Sequence, residues 1–276
     1  MKIESFVPQN SILSTVIECI YIIEQESGNS ESFLILPSIF SYLSISLNTA
    51  GTTINNRVIV NQVSENLLDS SVQFSLKSSC VFEYVGKIKE ICIKFKPLGI
   101  YDFFDEDILL NSANNQLFIP NGDYETNVKR ILNYSNNGQI IAEIEKYLLD
   151  KHVPFSHPYL KKAVNELEIT DSEKPLSLEK LAEKLGVTRQ TLNSRFNKYL
   201  NLSASEFRQI CRFRKFIQAK LIDEKNSRLT DFVYDFGFFD QSHLIKEFKK
   251  YTFLKPNDFF RKINHSTDRN ILVIWQ

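Results

Sequence analysis

Between residues 176 and 262 the chain repeats itself, and that repeat limits its possible folds more than any other feature. Leu178, Leu181, Ala182 and Leu185 fall at i, i+3, i+4 and i+7, the spacing of one apolar helix face. Gly186-Val187 follows, and a second apolar series opens at Leu192, Phe196 and Tyr199. Downstream, Phe232, Val233 and Phe236 precede Gly237-Phe238, which is followed by Leu244, Phe248 and Tyr251. The two glycines lie 51 residues apart, and the Leu, Phe and Tyr positions are offset by 52. Each unit reads as a short helix, a glycine suited to a left-handed turn, and a second helix, which is the helix-turn-helix plan. A single such pattern arises often in helical proteins. Two in tandem, with matching Gly, Leu, Phe and Tyr, are far harder to obtain by chance.

Side chains that cap helix ends mark the boundaries. Thr188 is placed to accept from the free N–H groups of the first reading helix, and Ser177 and Thr230 from those of the two supporting helices. Between the units, Ser203-Ala204-Ser205-Glu206 forms a capping box. The helix it opens keeps Phe207, Ile210, Cys211, Ile217 and Leu221 at roughly helical spacing. A continuous helix of about 18–20 residues is about 27–30 Å long. Two reading helices held that far apart meet successive major grooves, about 34 Å apart, on one face of a duplex.

With Leu192, Phe196 and Tyr199 inward, the first reading helix turns Arg189, Gln190, Asn193 and Ser194 toward base edges, with Asn197 beside them at phosphate. With Leu244, Phe248 and Tyr251 inward, the second turns Gln241, Ser242, His243 and Lys246 toward bases and Lys249 and Lys250 toward phosphate. Gln and Asn pair bidentately with adenine, and Lys suits guanine or phosphate. The first helix reads as neutral and amide-rich and the second as cationic. The first is therefore expected to carry more base discrimination and the second more phosphate grip.

The formal charge is zero, but it is unevenly divided. Residues 1–150 carry 10 Lys+Arg against 18 Asp+Glu, and residues 151–276 carry 23 against 15. An acidic half is joined to a basic one, and basic surfaces attract polyanions. The acidic half reads mainly as strands: Val72 to Lys77 and Ile91 to Lys96 alternate with period two, and Ile39 to Leu47 and Val81 to Val85 are rich in β-branched and aromatic residues. Pro97-Leu98-Gly99 closes a strand, and Pro120-Asn121-Gly122-Asp123 is turn chemistry. After Gly138, the residues Ile140, Ile141, Ile144, Tyr147 and Leu148 form an amphipathic helix that also offers a homodimer seam.

The expected layout is an α+β chain of two domains. A β-rich, cupin-like or sandwich domain covers 1–150, and a helix from Pro158 with a polar linker covers 151–176. An all-α tandem helix-turn-helix domain covers 177–265, and an apolar tail covers 266–276. There is no secretory pattern at the start and no run long enough to span a bilayer, so a cytoplasmic protein is expected. Cys19, Cys80, Cys92 and Cys211 form no CxxC pair, and the four histidines show no HxH or HExxH spacing. No cofactor or metal site and no catalytic residues are expected, and the chain does not read as an enzyme.

The residues also resemble a known family. Leu181-Ala182 through Gly186-Val187-Thr188, and above all Asp235-Phe236-Gly237-Phe238-Phe239-Asp240-Gln241-Ser242-His243-Leu244 with Phe248-Lys249-Lys250-Tyr251-Thr252 and Pro256, resemble the AraC/XylS transcription regulators. The resemblance covers about residues 157–262. It implies two helix-turn-helix units on a long helix, promoter DNA and RNA polymerase as partners, and binding as dimers or as monomers on tandem half-sites, usually with activation. Gln190, Asn193, Ser194, Gln241, Ser242, His243 and Lys246 fall on its base-facing positions. Three positions depart from the pattern: Val233 and Phe216 replace small Ala residues, and Phe253 replaces Gly. Cys92 to Tyr101 is similar to a strand and loop in the β-rich sensor domain of some members, which implies a small-molecule effector. The competing expectation is a ligand-binding or interaction module whose helix-turn-helix domain no longer engages DNA.

Overall fold

The computed structural model describes the whole chain except residues 27, 29, 65–66, 113–116, 169–175, 223–232, 234–235, 237, 239, 263, 266–271 and 275–276. In chain order the elements are β1 (Lys2–Phe6), α1 (Leu13–Val16), β2 (Ile17–Gln25), β3 (Ser30–Ile35), β4 (Ser41–Leu47), β5 (Thr49–Ile54), β6 (Arg57–Gln62), β7 (Leu68–Gln73), β8 (Cys80–Val85) and β9 (Ile88–Phe95). A 3-10 turn at Gly99–Asp102 leads into α2 (Glu106–Ser112), α3 (Tyr124–Leu132), α4 (Asn137–Lys151) and α5 (Leu160–Glu168). Then come α6 (Leu178–Lys184), α7 (Arg189–Leu200), α8 (Ala204–Ile222), α9 (Gln241–Thr252), α10 (Pro256–Lys262), β10 (Asn264–His265) and β11 (Leu272–Ile274). The amino-terminal part is β-rich and the carboxy-terminal part helical, as expected.

The chain divides into two compact units. The first comprises Met1–Ser32, Phe40–Phe74 and Phe82–His157. Its main sheet has the order β1-β2-β9-β4-β7 and pairs antiparallel, with β9 in the middle. Ile91, Ile93 and Phe95 of β9 are fully buried on one face. The alternate residues Glu90 and Lys94 are also buried, at 4% and 0% exposed. Period two identified this strand correctly, but its polar face does not meet solvent. Tyr84 of β8 donates to Glu90 at 2.8 Å, and Ser44 of β4 donates to the other carboxylate oxygen. The Val72 to Lys77 alternation is strand only as far as Gln73, after which Ser38 and Leu76 form an isolated bridge.

The turn after β9 requires its glycine. A Cβ on Gly99 would lie 2.2 Å from the Val16 carbonyl oxygen, and Leu98 just before it already takes φ 69°. The segments that flank α2 bring an aromatic cluster to the start of α3: Phe104 meets Phe118 at 5.1 Å and Phe118 meets Tyr124 at 5.9 Å, both edge-on. Tyr124 also shares a hydrogen bond with Ser70 at 2.6 Å. Helix α4 runs where the spacing placed it, with Asn136 Oδ1 accepting from the Gln139 amide. Its apolar face does not serve as the expected dimer seam. Ile140, Ile144, Tyr147 and Leu148 are buried within this chain, and of the five residues only Ile141 is half-buried, which leaves that stripe too little open surface for a second copy.

The second unit comprises Phe33–Ile39, Ser75–Val81 and Pro158–Gln276. Helices α5 to α10 form its body. Strand β11, from the apolar tail, pairs antiparallel with the Phe33–Ile35 end of β3, and β10 pairs with β11. Two short segments from the amino-terminal sequence join the helices. Arg214 of α8 donates to the Pro37 carbonyl at 3.0 Å, and the Ser79 amide donates to the Tyr251 carbonyl of α9 at 2.8 Å. The second bond satisfies one of the carbonyls that a helix end leaves without an internal partner.

Burial pushes the Glu90 carboxyl up from its ordinary 4.5 to about 7; the Ser44 and Tyr84 hydroxyls oppose this, and the charge of Asp69 adds to it. The folded state therefore holds this proton more tightly than the unfolded chain. The resulting stability is complete below about pH 4.5 and is lost as pH rises through about 7. Urea titrations near pH 5 and pH 8 should show Glu90→Gln losing less stability than wild type over that interval, by on the order of 3 kcal/mol.

Candidate nucleic-acid interface

The first helix-turn-helix is closed by backbone geometry. Gly186 takes φ 67°, its amide donates to the Glu183 carbonyl at 3.0 Å, and the Val187 amide donates to Ala182 at 3.0 Å. This is the Schellman closure of α6, and the glycine is there because a left-handed residue is needed. Thr188 then caps α7 by accepting from the Thr191 amide at 3.0 Å, and Ser177 caps α6 through Lys180 at 3.2 Å. Leu192 and Phe196 are fully buried and Tyr199 nearly so, so the spacing assigned the inner face correctly.

Farther along, the Phe238 amide donates to the Val233 carbonyl at 2.9 Å, the same five-residue closure as Val187 on Ala182. Gly237, Phe232 and Thr230 lie outside the described residues. Helix α9 follows, with Leu244, Phe248 and Tyr251 buried. Its cap is Asp240, whose Oδ1 accepts from the His243 amide at 2.7 Å. Sequence spacing had not singled out Asp240, although an Asp one residue ahead of an apolar helix series is a recognisable cap signal.

Helix α8 holds the two helices that carry the candidate contacts. Its capping box forms with both arms: Ser203 Oγ accepts from the Glu206 amide at 3.1 Å, and Glu206 Oε2 accepts from the Ser203 amide at 2.7 Å. The helix has 19 residues, about 28 Å at 1.5 Å per residue. Near its start, Phe207 meets Phe196 of α7 edge-on at 5.4 Å. Farther on, Phe213 packs on Phe248 at 5.2 Å and on Tyr251 at 4.8 Å. Phe216, where the resembled family has Ala, is fully buried and lies edge-on to Phe236, Phe238 and Phe248. The larger ring fills a space walled by other aromatics.

The candidate contact residues fall into two groups. Gln190, Ser194 and Asn197 are exposed on α7, and Gln241, Ser242, Lys246, Lys249 and Lys250 are exposed on α9. Of these, Asn197 donates to the Asn193 carbonyl at 3.0 Å and Lys250 to Gln209 at 3.4 Å; the three others also have structural partners. Asn193 is half-buried, and its Oδ1 accepts from the Ala204 amide at 3.1 Å, which ties α7 to the start of α8. Arg189 is exposed but paired with Glu179 at 2.6 Å. His243 is half-buried, with Nε2 3.4 Å from Glu247 and its ring edge-on to Phe238 at 5.8 Å. The neutral reading of α7 also needs correcting, because Arg195 and Lys198 are exposed on it. They were overlooked because they stand beside the amide row and not within it.

Glu247 was not foreseen as important. It is 7% exposed, yet it stands on the helix that carries the lysines. Arg212 of α8 donates to it, and the Arg212 guanidinium lies 4.8 Å over the Phe238 ring. The pair fastens α9 to α8, and removing one partner would leave the other charge buried.

Among the described residues, no cluster of His, Cys, Asp and Glu is placed to hold a metal ion, and no helix is long and apolar enough to cross a membrane. Residues 181–262 match a family model described as a helix-turn-helix domain. This segment is therefore a helix-turn-helix domain, the DNA-binding fold of a transcription regulator. It is a domain of the AraC type. None of the curated proteins matches the chain. Among solved structures, ToxT from Vibrio cholerae is similar over 88% of this chain and 97% of its own, at 12% identity and a TM-score of 0.46. ToxT from Vibrio cholerae O395 bound to (E)-4-(8-methylnaphthalen-1-yl)but-3-enoic acid is similar over 95% and 99%, at 10% identity and a TM-score of 0.41.

Arg212→Met should destabilise the protein by about 3 kcal/mol in denaturant titration, because Glu247 is left buried without its cation. Adding Glu247→Leu should recover most of that loss.

Proposed function

We propose that this protein reads two successive major-groove segments of one promoter duplex, with α7 in the first and α9 in the second. The observation that carries this reading is the repeated five-residue closure, Ala182 to Val187 and Val233 to Phe238, on either side of a 19-residue helix of about 28 Å. That length suits grooves about 34 Å apart once the width of the flanking helices is included. Gln190, Ser194, Gln241, Ser242 and Lys246 supply base contacts, and Asn197, Lys249 and Lys250 supply phosphate contacts. Arg189, Asn193 and His243 act at the flanks, since each is already engaged within the protein. Arg195 and Lys198 add phosphate grip to α7, so the two helices share that task.

The regulator acts in the cytoplasm and raises transcription by presenting both helices to a promoter and meeting RNA polymerase there. Any small-molecule effector works by binding the DNA-competent arrangement more tightly than the alternative, because a ligand shifts a population only by its differential affinity. Selection from random duplexes, followed by gel shifts with selected and scrambled DNA at two salt concentrations, tests the reading. Equal binding to both duplexes would favour a module that no longer recognises sequence. Lys249→Ala should lower the slope of log K against log salt by about 0.9, the loss of one phosphate contact. Gln190→Ala should leave the slope unchanged and relax preference at one base pair, by about 1–3 kcal/mol.

A further inference from the structure

Phe253 ends α9 in a conformation that a bulky side chain rarely adopts. Its backbone sits at φ 61°, ψ 7°, with its amide donating to the Lys249 carbonyl at 3.0 Å. A left-handed cap is normally Gly or Asn, and Asn201 does the same work at the end of α7, at φ 54°. The fold therefore has no need of an aromatic here. Nor does packing account for it, since Phe253 is 60% exposed. A strained backbone carrying a large, exposed apolar ring is a combination associated with binding.

Its position indicates the partner. At 100° per residue, Ser242, Lys246 and Lys249 fall within about 60° of one another, on the side opposite Leu244, Phe248 and Tyr251. Phe253 caps the end of that row, with its Cα about 17 Å along the axis from Ser242 and about 10 Å from Lys246. Exposed Lys249, Lys250 and Lys255 flank it, so whatever the ring meets is anionic around an apolar point. In the major groove that combination is a thymine methyl between phosphates.

We infer that Phe253 is a specificity-determining residue that contacts the C5-methyl group of a thymine at the outer edge of the second half-site. This inference rests on the two-segment reading above. The test uses the full chain and a duplex that wild type has selected, with each thymine of the second half-site replaced in turn by deoxyuridine. One replacement should weaken wild type about 3- to 10-fold, the scale of one buried methyl group. Phe253→Gly and Phe253→Asn should bind the parent duplex weaker by the same factor and be insensitive to that replacement. Both variants should melt no lower than wild type, since Gly and Asn suit the left-handed cap. If Phe253→Gly keeps the full wild-type response to every replacement, the inference is overturned. It is equally overturned if the variant binds DNA unchanged but fails to activate transcription, which would place the ring on a protein. If wild type selects no sequence at all, the two-segment reading fails and this inference fails with it.

Discussion

The carboxy-terminal unit depends on one buried stripe, the aromatic face of α8. Phe207 holds α7 through Phe196, and Phe213 and Phe216 hold α9 through Phe248 and Tyr251. Because ring packing is dense and directional, each contact fixes a helix orientation as well as burying apolar area. The capping box at Ser203 and Glu206 matters for the same reason. It fixes where α8 begins, and hence which residues along it face each neighbour.

On that frame, polar residues near the exposed surface do one of two jobs. Asn193, Arg189 and His243 stand on helices that carry candidate DNA contacts, yet each spends its polar atoms on the protein: Asn193 on the first turn of α8, Arg189 on Glu179, and His243 on Glu247. Residues such as Ser194, Lys246 and Lys249 are exposed and left for a partner. Glu247 shows the distinction most clearly. An acid on a cationic helix looks unsuited to DNA, but it is turned inward to Arg212 and adds no charge to the exposed stripe.

Local signals in the sequence were sufficient for the helices. Apolar spacing, Gly186, Thr188, Ser177 and the capping box each act within a few residues, so α6, α7 and α8 appear where they were expected. The β-rich unit was less legible. Its strands β4, β8 and β9 were visible as β-branched, aromatic or alternating runs, but the order β1-β2-β9-β4-β7 joins residues far apart in the chain, and nothing local encodes that pairing. The alternation in β9 marks a strand, and only the tertiary structure shows Glu90 and Lys94 buried on its polar side. The α4 stripe was misjudged for a related reason: an amphipathic helix shows that it must be covered without showing by what.

The sequence by itself determined the repeated Gly, Leu, Phe and Tyr spacing, the caps at Ser177, Thr188 and Ser203–Glu206, the inner faces of α7 and α9 and the cationic character of α9, because these follow from spacing along a single helix and from side chains reaching the nearest free backbone groups. The tertiary structure alone decided which polar residues remain open to a partner. That outcome depends on contacts between helices, such as Asn193 with Ala204 and Glu247 with Arg212. It also assigned Phe33–Ile39 and Ser75–Val81 to the helical unit, since hydrogen bonds such as Arg214 to Pro37 form only once distant parts of the chain have come together.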